Sequence, residues 1–149
     1  LSALSTNATS LILVNPDGSG KNLAIQQINW AFSTAPAGAS VVGIAMSPAQ
    51  SATAVTLTTP LTVQNALLAG TVSPSGVGKA CSAATTVGTP VWLRHLGGPV
   101  AASQINPPFI CDQTDGELIL VPGTSIQLAY LTTAAVGMAS ISWLEYTPS

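Results

Sequence analysis

Ions are what this sequence has least of. Its 149 residues include three Lys or Arg and five Asp or Glu, so 5% of positions are charged, against roughly 25% in an ordinary soluble domain. Phosphate backbones are gripped by clustered cations. Lys21, Lys79 and Arg94 are scattered, so nucleic acid is not expected as a partner. Histidine occurs once, as His95, which excludes a metal centre built on two imidazoles. Long apolar runs are missing too: none approaches the ~20 residues that span a bilayer, although 47% of the chain is hydrophobic. No membrane is expected as a partner either. A secretory signal, with its basic start and apolar core, is not found, and a chain opening on Leu1 rather than Met is expected to have been trimmed. Cys81 and Cys111 are too few for a disulfide scaffold. One bridge is open to them in an oxidising setting, but two free, small apolar side chains are the expected state.

What takes the place of charge is Ser, Thr, Asn and Gln. Burying a hydroxyl or an amide costs less than burying an ion, and a surface of such groups repels copies of itself weakly. The composition therefore suits a protein whose surface is covered by other protein.

Along the chain, short apolar or alternating segments are separated by Pro, Gly and Ser turns, with no linker and no repeat. Residues 10–14 form a compact apolar strand, and Asn15-Pro-Asp-Gly-Ser-Gly20 follows as a turn. Residues 22–32 alternate with Leu23 and Ile25 on one face, slip at Gln26-Gln27, and resume with Ile28, Trp30 and Phe32; a one-residue slip within a long strand predicts a β-bulge. Further strands are expected over 40–46, 52–58, 90–96, 109–111, 117–121, 125–131 and 139–146. Residues 61–68 fit either a strand or a short helix, 72–88 read as loop, and 112–116 read as a turn. Eight to ten short strands at this spacing, with no long helical pattern among them, predict an all-β fold. A jelly-roll-like antiparallel β-sandwich fits best, as a single domain over 1–149 with 1–9 as an extended N-terminal arm.

No motif carries catalysis. Gly18-Ser-Gly20-Lys21 resembles the end of a phosphate-binding loop, but Asn15 stands where the first Gly belongs and Asn22 where Ser or Thr should follow the Lys; a hairpin turn accounts for it. His95 lacks a G-x-S-x-G partner motif, and its neighbours Trp92 and Arg94 suggest packing or an interface. Asp112, Asp115 and Glu117 form the one acidic cluster. Calcium or acid–base work on sugars is conceivable chemistry for it, and a solvated turn with Asp side chains capping backbone amides is the plain alternative. Trp30, Trp92 and Trp143 could stack sugar rings, but each sits where a core or interface Trp is equally expected. Asn7-Ala8-Thr9 matches a glycosylation sequon by form only. No catalytic, cofactor-binding or metal-binding residue is assigned, no cofactor is expected, and the chain is not expected to be an enzyme.

Several segments taken together, N-P-D-G-S-G-K-N, L-G-G-P-V, P-F-I-C-D, D-G-E-L-I-L-V-P-G-T-S-I-Q-L and S-I-S-W-L-E-Y, give the chain from about Ser10 to its end a resemblance to structural virion proteins of tailed bacteriophages. It is similar to the jelly-roll cement (decoration) proteins of their capsids, of the Bordetella phage type. The resemblance implies a protein on the outer capsid surface that oligomerises, as a dimer or trimer, and clamps the major capsid protein. It brings no functional residues to transfer. The competing expectation is a carbohydrate- or receptor-binding β-domain of a tail fibre or spike; a hydrolase using the three acids is the weakest reading.

Overall fold

The computed structural model describes residues 1–66, 76–98 and 109–148. Among them are ten strands and no helix: β1 (Asn7–Ala8), β2 (Ile12–Asn15), β3 (Asn22–Phe32), β4 (Val42–Met46), β5 (Thr56–Leu61), β6 (Lys79–Thr85), β7 (Val91–Gly97), β8 (Phe109–Leu120), β9 (Thr124–Tyr130) and β10 (Gly137–Tyr146). They form two antiparallel sheets packed as a jelly-roll-like β-sandwich. The larger sheet runs β1-β6-β2-β9-β4-β7, with β5 on the far edge of β6; the smaller runs β10-β3-β8. Residues 1–9 lie along the larger sheet: Ala8 is buried and pairs with Ala84, and the Tyr130 amide donates to the Ser2 carbonyl.

The core follows from alternation. Leu23, Ile25, Ile28 and Trp30 of β3 point one way and meet Leu13, Val42, Ile44, Ile126 and Leu128 from the larger sheet, with Leu120 of β8 closing the cluster. Each such side chain contributes about 1.5–3 kcal/mol when fully buried. A second, smaller cluster lies on the opposite face of the larger sheet, where Ile12, Val14, Cys81 and Ala84 pack with Val55 and Leu57. The chain leaving β4 crosses that face, held by Ser47 and Ser51 amides donating to the Ser125 and Gly123 carbonyls. β2 is thus buried on both sides, which is why residues 10–14 read as a continuous apolar run rather than an alternating one.

The slip at Gln26-Gln27 is a bulge. Gln27 pairs with Ser142 and Ile25 with Trp143, so Gln26 is the extra residue against β10. Against β8 the same point is wider: Ile25 pairs with Leu118 and Gln27 with Gln113.

Several expectations need correction. Residues 112–116 do not turn the chain back; β8 continues through them, swollen by the bulge, so the expected strands 109–111 and 117–121 are one. Residues 79–85 are a strand, not loop: Lys-Ala-Cys-Ser-Ala-Ala-Thr has small side chains that leave no alternation to read. The strand expected over 52–58 lies at Thr56–Leu61, an edge position where Pro60 is tolerated. Asn15 to Lys21 is not a hairpin turn, because it carries the chain from β2 in one sheet to β3 in the other. The helical option for 67–68 and the loop reading of 72–75 lie outside the described residues.

Candidate functional site

The inter-sheet turn is held by Asn15, which is wholly buried. Its Nδ2 donates to the Lys21 and Leu120 carbonyls, both at 2.8 Å, and its Oδ1 accepts from Ser19 Oγ at 2.7 Å. Lys21 reaches Glu145 Oε2 at 3.5 Å. That carboxylate, on β10, also accepts from the Val77 and Gly78 amides at 2.9 Å and from Trp143 Nε1 at 3.3 Å. Burial alone would push the Glu145 carboxyl up, but the Gly78 and Val77 amides, the Trp143 indole and the Lys21 charge outweigh it and hold it below the usual carboxylate range. A carboxylate kept ionised by its own chain is a structural clamp. Sequence reasoning passed over Glu145 because its donors come from a segment distant in sequence.

The acidic cluster is parted by the bulge. Asp112 is half-buried and pairs with Arg94 at 2.6 Å, tying β8 to β7 across the seam between the sheets, whereas Asp115 and Glu117 are exposed on the swollen stretch. Among the described residues no three His, Cys, Asp or Glu side chains converge as a metal site would require. His95 is exposed on β7, opposite Gly43 in register.

The three tryptophans have three settings. Trp30 is buried and meets Phe32 edge to face at 5.6 Å. Trp92 lies over Gly43 on the outer face of the larger sheet, so close that a Cβ on Gly43 would sit 2.8 Å from the indole. Trp143 turns inward beside Glu145. They make no shared platform. Trp143 lines a cleft of about 720 Å³ between β10 and the β5–β6 pair, with Ile141, Leu57, Pro60, Lys21 and Lys79.

Both cysteines are free. Burial pushes the Cys81 thiol up, keeping it protonated within the second cluster. Cys111 is exposed. Asn7, of the formal sequon, is exposed in β1, its Oδ1 accepting from Thr85 Oγ1.

The distinctive surface is the outer face of the smaller sheet. The register lines its side chains up in rows across β10, β3 and β8: Met138–Ala31–Phe109, then Ser140–Asn29–Cys111, then Ser142–Gln27–Gln113, then Leu144–Ala24–Ile119. No row contains an ion. Met138, Phe109, Leu144 and Ile119 stand exposed on either side of small alanines in the central strand. The amides between them are knitted together, Gln27 donating to Asn29 at 3.2 Å and Asn29 to Ser140 at 3.1 Å. Asp115 and Glu117 lie at the β8 margin. On the larger sheet a second exposed apolar group gathers where Met46 pairs with Val91, beside Trp92 and Leu93.

The chain matches no protein-family model, no curated protein and no solved structure.

Proposed function

We propose that this protein is a structural component of a tailed-phage virion, a capsid cement protein that binds the major capsid protein on the outer head surface and also associates with itself. The observation that carries this reading is that the smaller sheet presents an exposed, apolar outer face with no ion in its rows, and that a second exposed apolar group, Met46, Val91, Trp92 and Leu93, stands at the β4–β7 edge of the larger sheet. One sticky patch makes a binder; two, on the two layers of a sandwich, suit a molecule that bridges neighbours. The likeness of its turn and strand segments to cement proteins supplies the kind of neighbour. A protein that binds the closed lattice and not separated subunits stabilises the lattice by mass action.

The sparse charges agree with this. Four of the eight charged side chains are spent on internal pairs, Lys21 with Glu145 and Arg94 with Asp112, leaving little outward charge to be desolvated on docking. A second reading, a carbohydrate- or receptor-binding β-domain of a tail fibre or spike, draws on the cleft beside Trp143, where an indole and two lysines meet.

Fractionating virions of the phage that encodes the chain separates the two. The cement reading expects the protein with DNA-free heads, in fixed ratio to the major capsid protein, and heads lacking it should rupture at a lower temperature. Recovery with tails, or heads that rupture identically without it, overturns the reading.

A further inference from the structure

We infer that the chain holds an internal water between Gln127 and Ser10, a structural site on the covered outer side of the larger sheet. It is independent of the reading above and is tested on the purified chain.

Alternation places the groups. Ile126 and Leu128 of β9, Ile44 of β4, and Leu11 and Leu13 at β2 belong to the main core, so Gln127, Ala45, Ser10 and Ile12 point to the other side of the sheet. Ile12 pairs with Gln127, and Gln127 with Ala45. The Leu128 amide donates to the Leu11 carbonyl, which carries the β2–β9 ladder one residue past Ile12 and sets Ser10 diagonal to Gln127. Diagonal neighbours on one face stand ~7–8 Å apart. A water joined to both side chains spans about 5.5 Å, the length of two hydrogen bonds, and suits that separation.

Both residues are shut off from solvent, Gln127 being 2% and Ser10 5% exposed. The chain leaving β4 covers this face, and Gly88 of the β6–β7 connection lies against Pro48 of that crossing. Thr86 of the same connection is buried, its amide donating to the Thr6 carbonyl. Under this cover, Nε2 and Oε1 of Gln127 and Oγ of Ser10 have no hydrogen-bond partner in the chain. The great majority of buried polar groups in native proteins are paired with protein or with water. Two neighbouring side chains unpaired on one face make a set, and the set asks for a ligand between them.

The chemistry of the set selects water. The amide supplies donors and an acceptor, the hydroxyl both, and none of them is charged, so no ion is called for. One water accepts from Nε2 and donates to Ser10 Oγ, and its second proton is free for Oε1; internal waters typically make about three such bonds. The flanking Ala45 and Ala129 extend only a methyl from the backbone. Trp30 supplies the contrast. Its Nε1 is also unpartnered, but it lies among the apolar side chains of the main core, a lone donor where water lacks the two to four polar partners it needs. No water is assigned there.

A crystal structure of the chain at about 1.6 Å should show an ordered water within ~2.6–3.2 Å of both Ser10 Oγ and the Gln127 amide. In solution, the Gln127 side-chain NH2 protons should give water cross-peaks of opposite sign in NOE and ROE spectra, the mark of a water held far longer than surface hydration. Ser10→Ala should lose these cross-peaks and lower the folding equilibrium constant about fivefold or more. In a Gln127→Met background the same change should cost less, because the water has already lost a partner. A structure with Gln127 and Ser10 bonded directly, or with no water between them, overturns the inference. So does Gln127→Met if it raises stability, as relief of an unpaired buried amide would. Should Gln127→Met fail to fold, Ser10→Ala decides alone, since cross-peaks that persist in it at full strength place the water elsewhere.

Discussion

Two side chains hold this sandwich together where its layers join, and both make their case through hydrogen bonds that hydrophobic patterning does not reveal. Glu145 gathers two backbone amides, an indole and an ammonium. Because its folded-state pKa lies below the ordinary 4.5, its stabilisation is complete above that value and is lost as pH falls through the folded one. Glu145→Gln should cost about 1–3 kcal/mol at neutral pH and flatten the acid limb of a thermal-melt series below about pH 4.5, leaving the limb above pH 6 parallel to that of the parent chain. Asn15 is the stricter case. Its amide faces two carbonyls with no water to help, so Asn15→Asp, equal in shape, sets a carboxylate against them. The loss should be about 3 kcal/mol or more in urea unfolding. Neither residue was singled out from the sequence. Asn15 looked like one more turn former, and Glu145 like one polar position in an alternating strand. The three tryptophans were equivalent on paper and turned out to be core, sheet covering and clamp, since an indole's setting depends on what crosses it from elsewhere in the chain.

At the level of the strand, legibility tracked side-chain size. β3 was readable down to its bulge, because large apolar residues mark the phase before and after Gln26. β6 was not, because Ala and Ser give the same signal on either face. β8 was read as two strands and a turn since Asp-Gly is turn chemistry, and the chemistry was correct: Asp115 and Gly116 both have positive φ, 45° and 84°. They turn the backbone within a strand instead of ending it. Gly116→Val should therefore cost about 1–2 kcal/mol, and Asp115→Gly should be neutral or slightly stabilising, both read from chemical-denaturation midpoints. If Gly116→Val were harmless, the left-handed geometry of the bulge would have to be abandoned. The exposed apolar face of the smaller sheet was invisible at this level. Its rows exist only once the register sets Met138 beside Ala31 and Phe109, three residues that no linear pattern connects.

Taken whole, the fold class and the scarcity of ions were legible from composition and spacing, while the arrangement of the few ions was not. Pairing Arg94 with Asp112, between β7 and β8, and Lys21 with Glu145, beside β3 and β10, neutralises half of the charged side chains within the chain. An association built on the remaining surface should be nearly blind to salt: raising NaCl from about 0.05 to 0.5 M should change the affinity for heads stripped of the protein less than about threefold, because screening has little to act on. A steep fall with salt would mean that Lys79, Asp115 or Glu117 carries the contact instead.

The same internal pairing fixes how a particle coated with this protein would behave in an electric field. With half its charges paired within the chain and eight charged side chains in all, each copy presents little net charge. A coat of such subunits would lay an almost inert layer over the shell, and the electrophoretic mobility of the decorated particle would vary little with buffer around pH 7, whatever the charge of the lattice beneath.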